Sequence, residues 1–323
     1  MSAAPPLPST PSVLSPGSVE AAALSELSWV LFLGAALIFV GVMALLGWTL
    51  RRRPRREVPT AWWVLGGGIV FPVVVLSTLL LYGTARTAGL ERTLAQPPLV
   101  VTVTGRLWWW EVRYRDPAGG PDVVLANELR LPLGRPTQLG LTADELIHSL
   151  WVPELGGKRD LVPGRVNHLV ITPQRAGVFR GQCAEYCGLQ HAKMALHVVA
   201  LPPAEFEQWL ARQARPADAA PPAEAPAAGA TLAARGREAF AAQGCAACHS
   251  VRGHAEGAPR GPDLTHVGSR LYLGAGALPN EAGAFKRWLV GVQEIKPGAR
   301  MPDYAHLDAA TLDALAAYLE QLR

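Results

Sequence analysis

Two long apolar runs dominate the first quarter of the chain. Residues 27–50 and 62–84 contain no charged side chain, and helical runs of this length cross the roughly 30 Å hydrocarbon core of a bilayer. Pro72 is expected to kink the second run. Buried core helices are the alternative, although uncharged runs this long are rare in soluble folds. The pattern predicts a transmembrane hairpin over residues 27–95, preceded by an N-terminal segment, 1–26.

Shorter patterns follow the hairpin and indicate three further regions. LVVTVT, LWWWEVRY, VNHLVIT and ALHVVAL are strand-like and separated by Pro/Gly turns, which predicts an all-β sandwich over residues 96–211. Residues 212–229 are rich in Ala and Pro without periodicity and predict an extended linker. TLDALAAYLEQL has apolar positions at helical spacing, so residues 230–323 are expected to form a small all-α domain.

Composition and charge support a membrane protein and exclude a nucleic-acid binder. Hydrophobic residues make up 50% of the chain and charged residues only 17%. The net charge is +4, but residues 96–211 contain eleven basic and eleven acidic residues, and residues 230–323 contain ten and nine. The basic excess lies mainly in RRRPRR, between the two apolar runs. A nucleic-acid face would need a basic stripe on a folded domain.

The arginine cluster also predicts the orientation of the hairpin. Basic residues that flank membrane spans face the cytoplasm, so both termini are expected outside it. The N-terminus, MSAAPPLPSTPS, lacks the basic start of a signal peptide. We therefore expect a two-helix protein of a bacterial inner membrane, with the N-terminal segment and the β and α domains on the periplasmic side.

The four cysteines form two pairs, and the second pair lies in the sequence CAACH. A CxxCH motif is the signature of covalent haem c attachment, in which Cys245 and Cys248 bind the haem vinyl groups and His249 is the proximal iron ligand. Met301 lies in KPGARMPDY, 52 residues after His249, and is the expected distal ligand. Ligation by His and Met raises the haem potential and suits electron transfer.

The first pair lies in GQCAEYCGLQHAKM, where Cys183 and Cys187 precede His191 and Met194. A disulfide would leave the imidazole and the thioether unexplained. A zinc site completed by His148 has no use for methionine. A Cys-His-Met loop near the last strand, with a distant upstream histidine, is typical of blue-copper sites. The extra cysteine allows a second copper, so a dinuclear centre uses every soft ligand, with the disulfide and the zinc site as alternatives.

Two long motifs carry a family resemblance. ADELIHSLWVPELGGKRDLVPGRVNHLVI and GVFRGQCAEYCGLQHAKMALHVV resemble the CuA domain of cytochrome c oxidase subunit II. The CxxCH region resembles the subclass of bacterial oxidases whose subunit II has a fused cytochrome c domain. The resemblance covers the chain after about residue 20 and implies a transmembrane hairpin, a cupredoxin-like sandwich and a class I cytochrome c domain.

The resemblance also implies roles for individual residues. The implied copper ligands are His148, Cys183, the main-chain carbonyl of Glu185, Cys187, His191 and Met194. The side chain of Glu185 would face a magnesium or manganese ion at the boundary with subunit I, since carboxylates suit such hard cations. In GRLWWWEVRY, Trp108 corresponds to the tryptophan through which electrons enter. Core packing on alternating faces of a strand is the expected role of Trp109 and Trp110.

The implied function is that of subunit II of a proton-pumping terminal oxidase. Electrons from an external cytochrome c would pass through the haem and the CuA centre to the oxygen site of subunit I, with subunit III as a further partner. This chain itself is expected to contain no oxygen site. Many relatives have a glutamate at the start of the second span that serves proton uptake. Here Thr60 lies near that position and only Glu57 is close, so that role is not implied.

Two other classes of protein remain as rival hypotheses. One is a CuA-containing reductase: nitrous oxide reductase is soluble and lacks the hairpin, whereas a nitric oxide reductase subunit has a membrane anchor, and HSLWVPELGGKRD favours the oxidase over it. The other is a membrane-tethered electron carrier or copper-delivery protein that works without a catalytic partner. Copurification of a haem–copper subunit would distinguish these classes.

Overall fold

The computed structural model describes residues 10–51, 59–92, 99–115, 120–217, 227–256 and 260–323. Helix α1 is Val19–Arg51, and the second apolar run forms α2 (Thr60–Trp62), a π-helical segment (Trp63–Val70) and α3 (Phe71–Arg92). Four of the five loop arginines, Glu57, the expected boundary at residues 95 and 96 and the middle of the linker lie outside the described residues.

Both apolar helices expose their side chains, as membrane-spanning helices do. The most apolar 18-residue stretch within each of the helices Val19–Arg51 and Thr60–Ala88 contains no buried residue, so the alternative of buried core helices is wrong. The π-helical segment lies directly before Pro72, which has no N–H to donate to the preceding turn. Arg86 of α3 pairs with Glu26 of α1 and joins the two helices at one end. The chain is therefore anchored in a membrane by a helical hairpin.

A two-layer β sandwich follows, as the alternating pattern predicted. Its strands are β1 (Leu99–Arg106), β2 (Trp109–Tyr114), β3 (Val123–Ala126), β4 (Glu128–Pro132), β5 (Thr137–Ala143), β6 (His148–Trp151), β7 (Arg159–Leu161), β8 (Asn167–Ile171), β9 (Gly177–Cys183) and β10 (Ala195–Leu201). One sheet has the order β3-β2-β1-β5-β8 and the other β4-β10-β9-β6-β7. Valines and leucines from both inner faces fill the core. This architecture places β6, β9 and the loop before β10 side by side at one end.

Helix α4 (Pro203–Gln213) closes the sandwich and was not expected from the sequence. Its Phe206 and Trp209 are buried, and the Trp209 ring lies 5.5 Å from Tyr114 in an edge contact. The Arg130 guanidinium lies over the Trp209 ring, 4.9 Å from its centroid. The amphipathic spacing in PAEFEQWL was a usable signal, but the neighbouring Ala/Pro-rich run obscured it.

The segment before the first span is packed on the sandwich. Gly17 donates a backbone hydrogen bond to Glu154 (2.7 Å), and the Ser18 hydroxyl donates to Leu155 O (2.8 Å) while accepting from Ala21 N. The Glu20 carboxylate is buried and accepts two 2.8 Å hydrogen bonds from Thr172. These contacts explain why α1 begins eight residues before the uncharged run, and they fix the membrane helix to the β domain.

The C-terminal domain is helical, as predicted. It contains α5 (Ala227–Ala242), the hairpin β11 (Tyr272–Leu273) and β12 (Leu278–Pro279), α6 (Ala284–Ile295) and α7 (Ala309–Gln321). Helices α5 and α7 cross at Gly236, where a Cβ atom would lie 2.0 Å from Ala314 O. Phe240 and Tyr318 pack edge to face beside this crossing, 5.5 Å apart. Glycine at 236 allows the two backbones to touch.

Candidate metal centres

The structure brings His148 and the soft ligands of GQCAEYCGLQHAKM to one end of the sandwich. His148 begins β6, Cys183 ends β9, and Cys187 lies in the loop that follows. Cys183 Sγ is 3.7 Å from His148 Nδ1 and 3.8 Å from Cys187 Sγ. The sheet places these residues together because β6 pairs with β9 through Leu150 and Cys183. The ligand atoms of His148, Cys183 and Cys187 all lie within 4.8 Å of one another.

The remaining expected ligands complete this cluster. Cys187 Sγ lies 3.7 Å from His191 Nδ1 and 3.9 Å from Met194 Sδ. The carbonyl oxygen of Glu185 lies 3.2 Å from Cys183 Sγ. Both cysteines are free, so the disulfide alternative is wrong for this structure. Two thiols, two imidazole nitrogens, a thioether and a carbonyl form a donor set that fits two soft copper ions.

The two cysteines influence each other's titration across a 3.8 Å contact. Interaction with Cys187 lowers the pKa of Cys183, and interaction with Cys183, together with burial, raises the pKa of Cys187. Metal binding requires both as thiolates, so any thiol protons leave when the ions bind. Behind the cluster, a Cβ at Gly105 would lie 2.7 Å from the ring of His148. Glycine at 105 therefore lets this imidazole reach the sulfurs, a requirement that the sequence analysis missed.

The three consecutive tryptophans have three different environments. The Trp108 indole donates a 2.7 Å hydrogen bond to the carbonyl of Cys187. Trp110 is fully buried, which confirms its expected core position. Trp109 is partly exposed and lines a cavity in the C-terminal domain, so the core-packing expectation was wrong for it. Arg106 lies over its ring, 5.4 Å from the centroid.

A cavity of about 680 Å³ contains the second site. Cys245, Cys248, His249 and Met301 all line it, although 56 residues separate the first from the last. Pro262, Trp288 and Tyr304 line it as well. The remaining walls are mainly apolar and include Phe240, Phe285, Leu289, Leu315 and Leu319. A flat apolar cofactor tethered through two thioethers fits such a cavity.

His249 is prepared to bind a metal through one nitrogen. Its Nδ1–H donates a 2.7 Å hydrogen bond to the carbonyl of Pro262. The electron pair of Nε2 therefore stays free to bind a metal. Burial lowers the pKa of His249 and favours the neutral form that ligates iron. A Cβ at Gly261 would lie 2.7 Å from this ring. Glycine at 261 therefore holds the imidazole against the carbonyl.

Arg270 gives an independent test of haem binding. It is buried on the cavity wall, and one guanidinium nitrogen donates to Asp263 O. Its Nε has no hydrogen-bond partner among the described residues. Burial lowers the pKa of this guanidinium, and a buried unpaired donor is costly. A haem propionate is an anionic acceptor of the kind this nitrogen lacks, so the residues present fit the cofactor.

The C-terminal domain is docked on the copper end of the sandwich. Arg106, Leu107, Trp108, Trp109 and Asn127 of the sandwich form part of the haem cavity wall. The sequence predicted only an extended linker between the two domains, because contacts between distant segments leave no recognisable pattern in the local sequence. The cavity and the soft-ligand cluster therefore lie on opposite sides of the Trp108 region.

Buried groups join the two domains at this interface. His197 stacks on Tyr272 with ring centroids 4.0 Å apart, and burial lowers its pKa to about 4. Leu271 N donates to the side-chain carboxylate of Glu128 (2.9 Å), and Ala195 N donates to the backbone carbonyl of Ala275 (3.0 Å). No local pattern distinguishes His197 from an ordinary strand residue, since its stacking partner lies 75 positions away.

Lys296 lies at this interface and is the most buried of the described lysines. Only 4% of its surface is exposed, and burial lowers its pKa to about 7. Its ammonium group donates to three backbone carbonyls, those of Trp108, Lys193 and Gly274. These acceptors favour the charged form, since only an ammonium has three N–H donors. Nothing in the sequence singled out this residue.

Comparison with known proteins gives two family matches and several relatives. Residues 122–201 match "Cytochrome C oxidase subunit II, periplasmic domain", and residues 233–323 match "Cytochrome c". Cytochrome c oxidase subunit 2 of Alkalihalophilus pseudofirmus is 36% identical over 69% of this chain and 61% of its own length. The Bacillus subtilis protein of that name is 32% identical over 79% and 70%.

A solved structure is also similar to part of the chain. The periplasmic domain of subunit II of cytochrome oxidase of Bradyrhizobium japonicum is 28% identical. The match covers 38% of this chain and 96% of that one, with a TM-score of 0.34. The chain spans 61% of the length of the first relative and 70% of the second.

Proposed function

Because this chain belongs to the cytochrome c oxidase subunit II family and has a fused cytochrome c domain, we propose that it receives electrons for a membrane-bound terminal oxidase. The haem that Cys245 and Cys248 would hold would accept electrons from an external cytochrome c, and the CuA centre would supply the onward route to the oxygen site of subunit I. Oxygen reduction and proton pumping then take place in the assembled complex.

One observation carries this proposal more than any other. Trp108 touches both candidate sites: its indole N–H donates to Cys187 O, and the residue lines the cavity that contains His249 and Met301. A residue in contact with both sites provides a short connection between them. A disulfide-bonded or zinc-bound structural clip would have no use for such a connection.

The chain's own residues hold and orient the two cofactors. The copper ions would bind His148, Cys183, Glu185 O, Cys187, His191 and Met194, and the haem would bind Cys245, Cys248, His249 and Met301. When bound, these groups supply one-electron carriers. The fixed sheet supplies rigidity, because His148 and Cys183 lie on paired strands. Rigid ligands keep the coordination geometry similar in both oxidation states, which favours rapid transfer.

The loop between β9 and β10, residues 184–194, is hereafter called the copper loop. Its exposed side is the proposed boundary with subunit I. The Glu185 side chain is exposed, although its carbonyl faces Cys183. Tyr186, the next residue in the loop, is also exposed, as is Ile147, which directly precedes the ligand His148. Large exposed side chains beside a buried metal cluster suit a protein contact. A magnesium or manganese ion at this boundary would bind the Glu185 carboxylate. Subunit III is a further partner, and both extramembrane domains face the periplasm.

Cofactor analysis tests the proposal directly. The chain purified from membranes in mild detergent is expected to contain two coppers and one covalent haem, together with a haem–copper subunit. Metal analysis, haem staining after denaturation and near-infrared absorption measure these quantities. A zinc ion in place of copper contradicts the proposal. Full cofactor content without an oxidase partner favours the carrier hypothesis instead.

Replacing Met301 with leucine tests the distal ligand. The haem is expected to stay attached, because the thioethers of Cys245 and Cys248 are unaffected. Its midpoint potential is expected to fall, since a Met ligand raises it. Redox titration of the haem absorption measures the change. Leu307→Met, which changes a partly buried residue packed against the same core, is the control. An unchanged potential in M301L would contradict the assignment.

A further inference from the structure

Lys296 joins three segments of the chain by one buried group. Its Nζ lies 2.6 Å from Trp108 O, 2.9 Å from Lys193 O and 3.0 Å from Gly274 O. The first two carbonyls belong to the sandwich and the third to the haem domain. All three ammonium protons are therefore used, and two of the acceptors lie in segments that contact or contain proposed copper ligands.

The residues on either side of Lys296 in the chain also contact the copper loop. The loop residue Gln190 donates to Pro297 O (2.7 Å), and Lys193 Nζ donates to Ile295 O (2.7 Å). Gly298 has a φ of +78°, and a Cβ there would lie 2.9 Å from Leu189 of the loop. Residues 295–298, hereafter the clamp segment, thus lie directly on the copper loop over their whole length.

The clamp segment is equally tied to the haem cavity. It begins at the end of α6 and leads within three residues to Met301. Gln293 of α6 donates to Ala299 O (2.9 Å) and Met301 O (2.7 Å) and accepts from Gly298 N (3.0 Å). One short segment therefore determines both the position of Met301 and the contact with the copper loop.

Core packing alone does not explain a lysine at this position. A buried charge is costly unless it is paired, and none of the interactions that shift the pKa of Lys296 comes from a carboxylate. An apolar side chain would fill the same space at lower cost. What the ammonium provides is a directional bond to three separate segments at once.

We propose that Lys296 is a positioning residue that clamps the haem cavity at a fixed separation from the copper ligands and from Trp108. This inference rests on the proposed function. In the step that it serves, the haem iron loses one electron and the copper pair gains it. Functional groups must be held within about 0.5 Å of their productive geometry, and transfer slows steeply as the separation increases.

The test compares Lys296→Met with the wild-type chain, purified in full length in detergent. After flash reduction of the haem, we expect electron arrival at the copper pair to slow by about 10- to 100-fold, the loss that an ångström-scale displacement produces. Pulsed dipolar spectroscopy between the oxidised copper pair and the haem iron should show a broader distance distribution. Lys286→Met is the matched control, because Lys286 lies on α6, the helix that leads into the clamp segment, but its side chain is exposed and paired with Asp313.

Several outcomes decide between the clamp and its alternatives. The midpoint potentials of the haem and the copper pair are measured in each variant. If the change in these potentials fully explains the slower electron transfer, the proposal is overturned. Wild-type transfer in a K296M chain with both cofactors also overturns it. If K296M loses a cofactor, the transfer rate is measured in Lys193→Met instead, because this change removes only the bond from Lys193 Nζ to Ile295 O. An unchanged transfer rate in K193M rejects the clamp. Absence of copper or haem from the wild-type chain instead rejects the proposed function.

Discussion

Replacing Cys187 with serine is expected to remove the copper pair while the sandwich stays folded. Cys187 Sγ is within 3.9 Å of three other proposed ligand atoms, those of Cys183, His191 and Met194. A serine hydroxyl keeps its proton at neutral pH and is a hard donor, so it cannot replace a thiolate ligand. Loss of an outer-shell partner already costs roughly 10- to 100-fold in metal affinity or activity. We expect electron transfer to the oxidase partner to fall by more than about 100-fold.

Copper content and near-infrared absorption measure this effect, and covalent haem serves as an internal reference. The haem should be unaffected, because its ligands belong to the other domain. Tyr186→Phe is a suitable control, since Tyr186 lies in the same loop but is 77% exposed and loses only its hydroxyl. Retention of two coppers in C187S would show that this sulfur is not a ligand.

Replacing Gly236 with alanine is expected to destabilise the haem domain severely. The added Cβ would lie 2.0 Å from Ala314 O and 2.6 Å from Ala314 C, and both are backbone atoms that cannot rotate away. Overpacking costs about 1–3 kcal/mol even where side chains can adjust. The helix propensity gained by replacing glycine offsets at most about 1 kcal/mol. Helices α5 and α7 must therefore separate, and we expect a net loss of about 3 kcal/mol.

Thermal unfolding of the full chain, followed by haem absorption, measures this loss. A destabilisation of this size lowers the Tm of a domain of this length by at least about 10 °C. Ala234→Val is the control, because residue 234 is on the exposed side of the same helix and the change costs only about 0.7 kcal/mol in propensity. Equal Tm values for G236A and A234V would contradict the close crossing.

Much of the fold was predictable because its signals are local. The strands at 99–104, 107–114, 166–172 and 195–201 were expected from alternating β-type residues, and the structure confirms a strand in each. The two spans were expected from uncharged length alone, and helices occupy both. Helix α1 extends back to Val19 because Thr172, far away in sequence, binds the buried Glu20. Local patterns cannot report such a partner.

In the candidate sites, too, local sequence indicated some residues, whereas the roles of others depend on distant segments. Donor atoms suited to copper and haem iron are chemical properties of the side chains, so Cys183, Cys187 and Met301 could be proposed as ligands from residue type and spacing, and His148 from the family resemblance. Gly105 and Gly261 were not, since their role is to leave room for a ring from another segment. The environment of Trp109 was predicted wrongly because the neighbouring domain covers its face of the strand.

The sequence by itself determined the membrane anchor, the β and α domains and the types of metal that the ligands favour. These properties depend on residue chemistry and on periodicity within about 15 positions. Only the tertiary structure decided that the haem cavity docks on the copper loop, with Lys296 between Trp108, Lys193 and Gly274 and with His197 stacked on Tyr272. Such contacts join residues 22 to 188 positions apart, and their energies arise only when folding removes water from both partners at once.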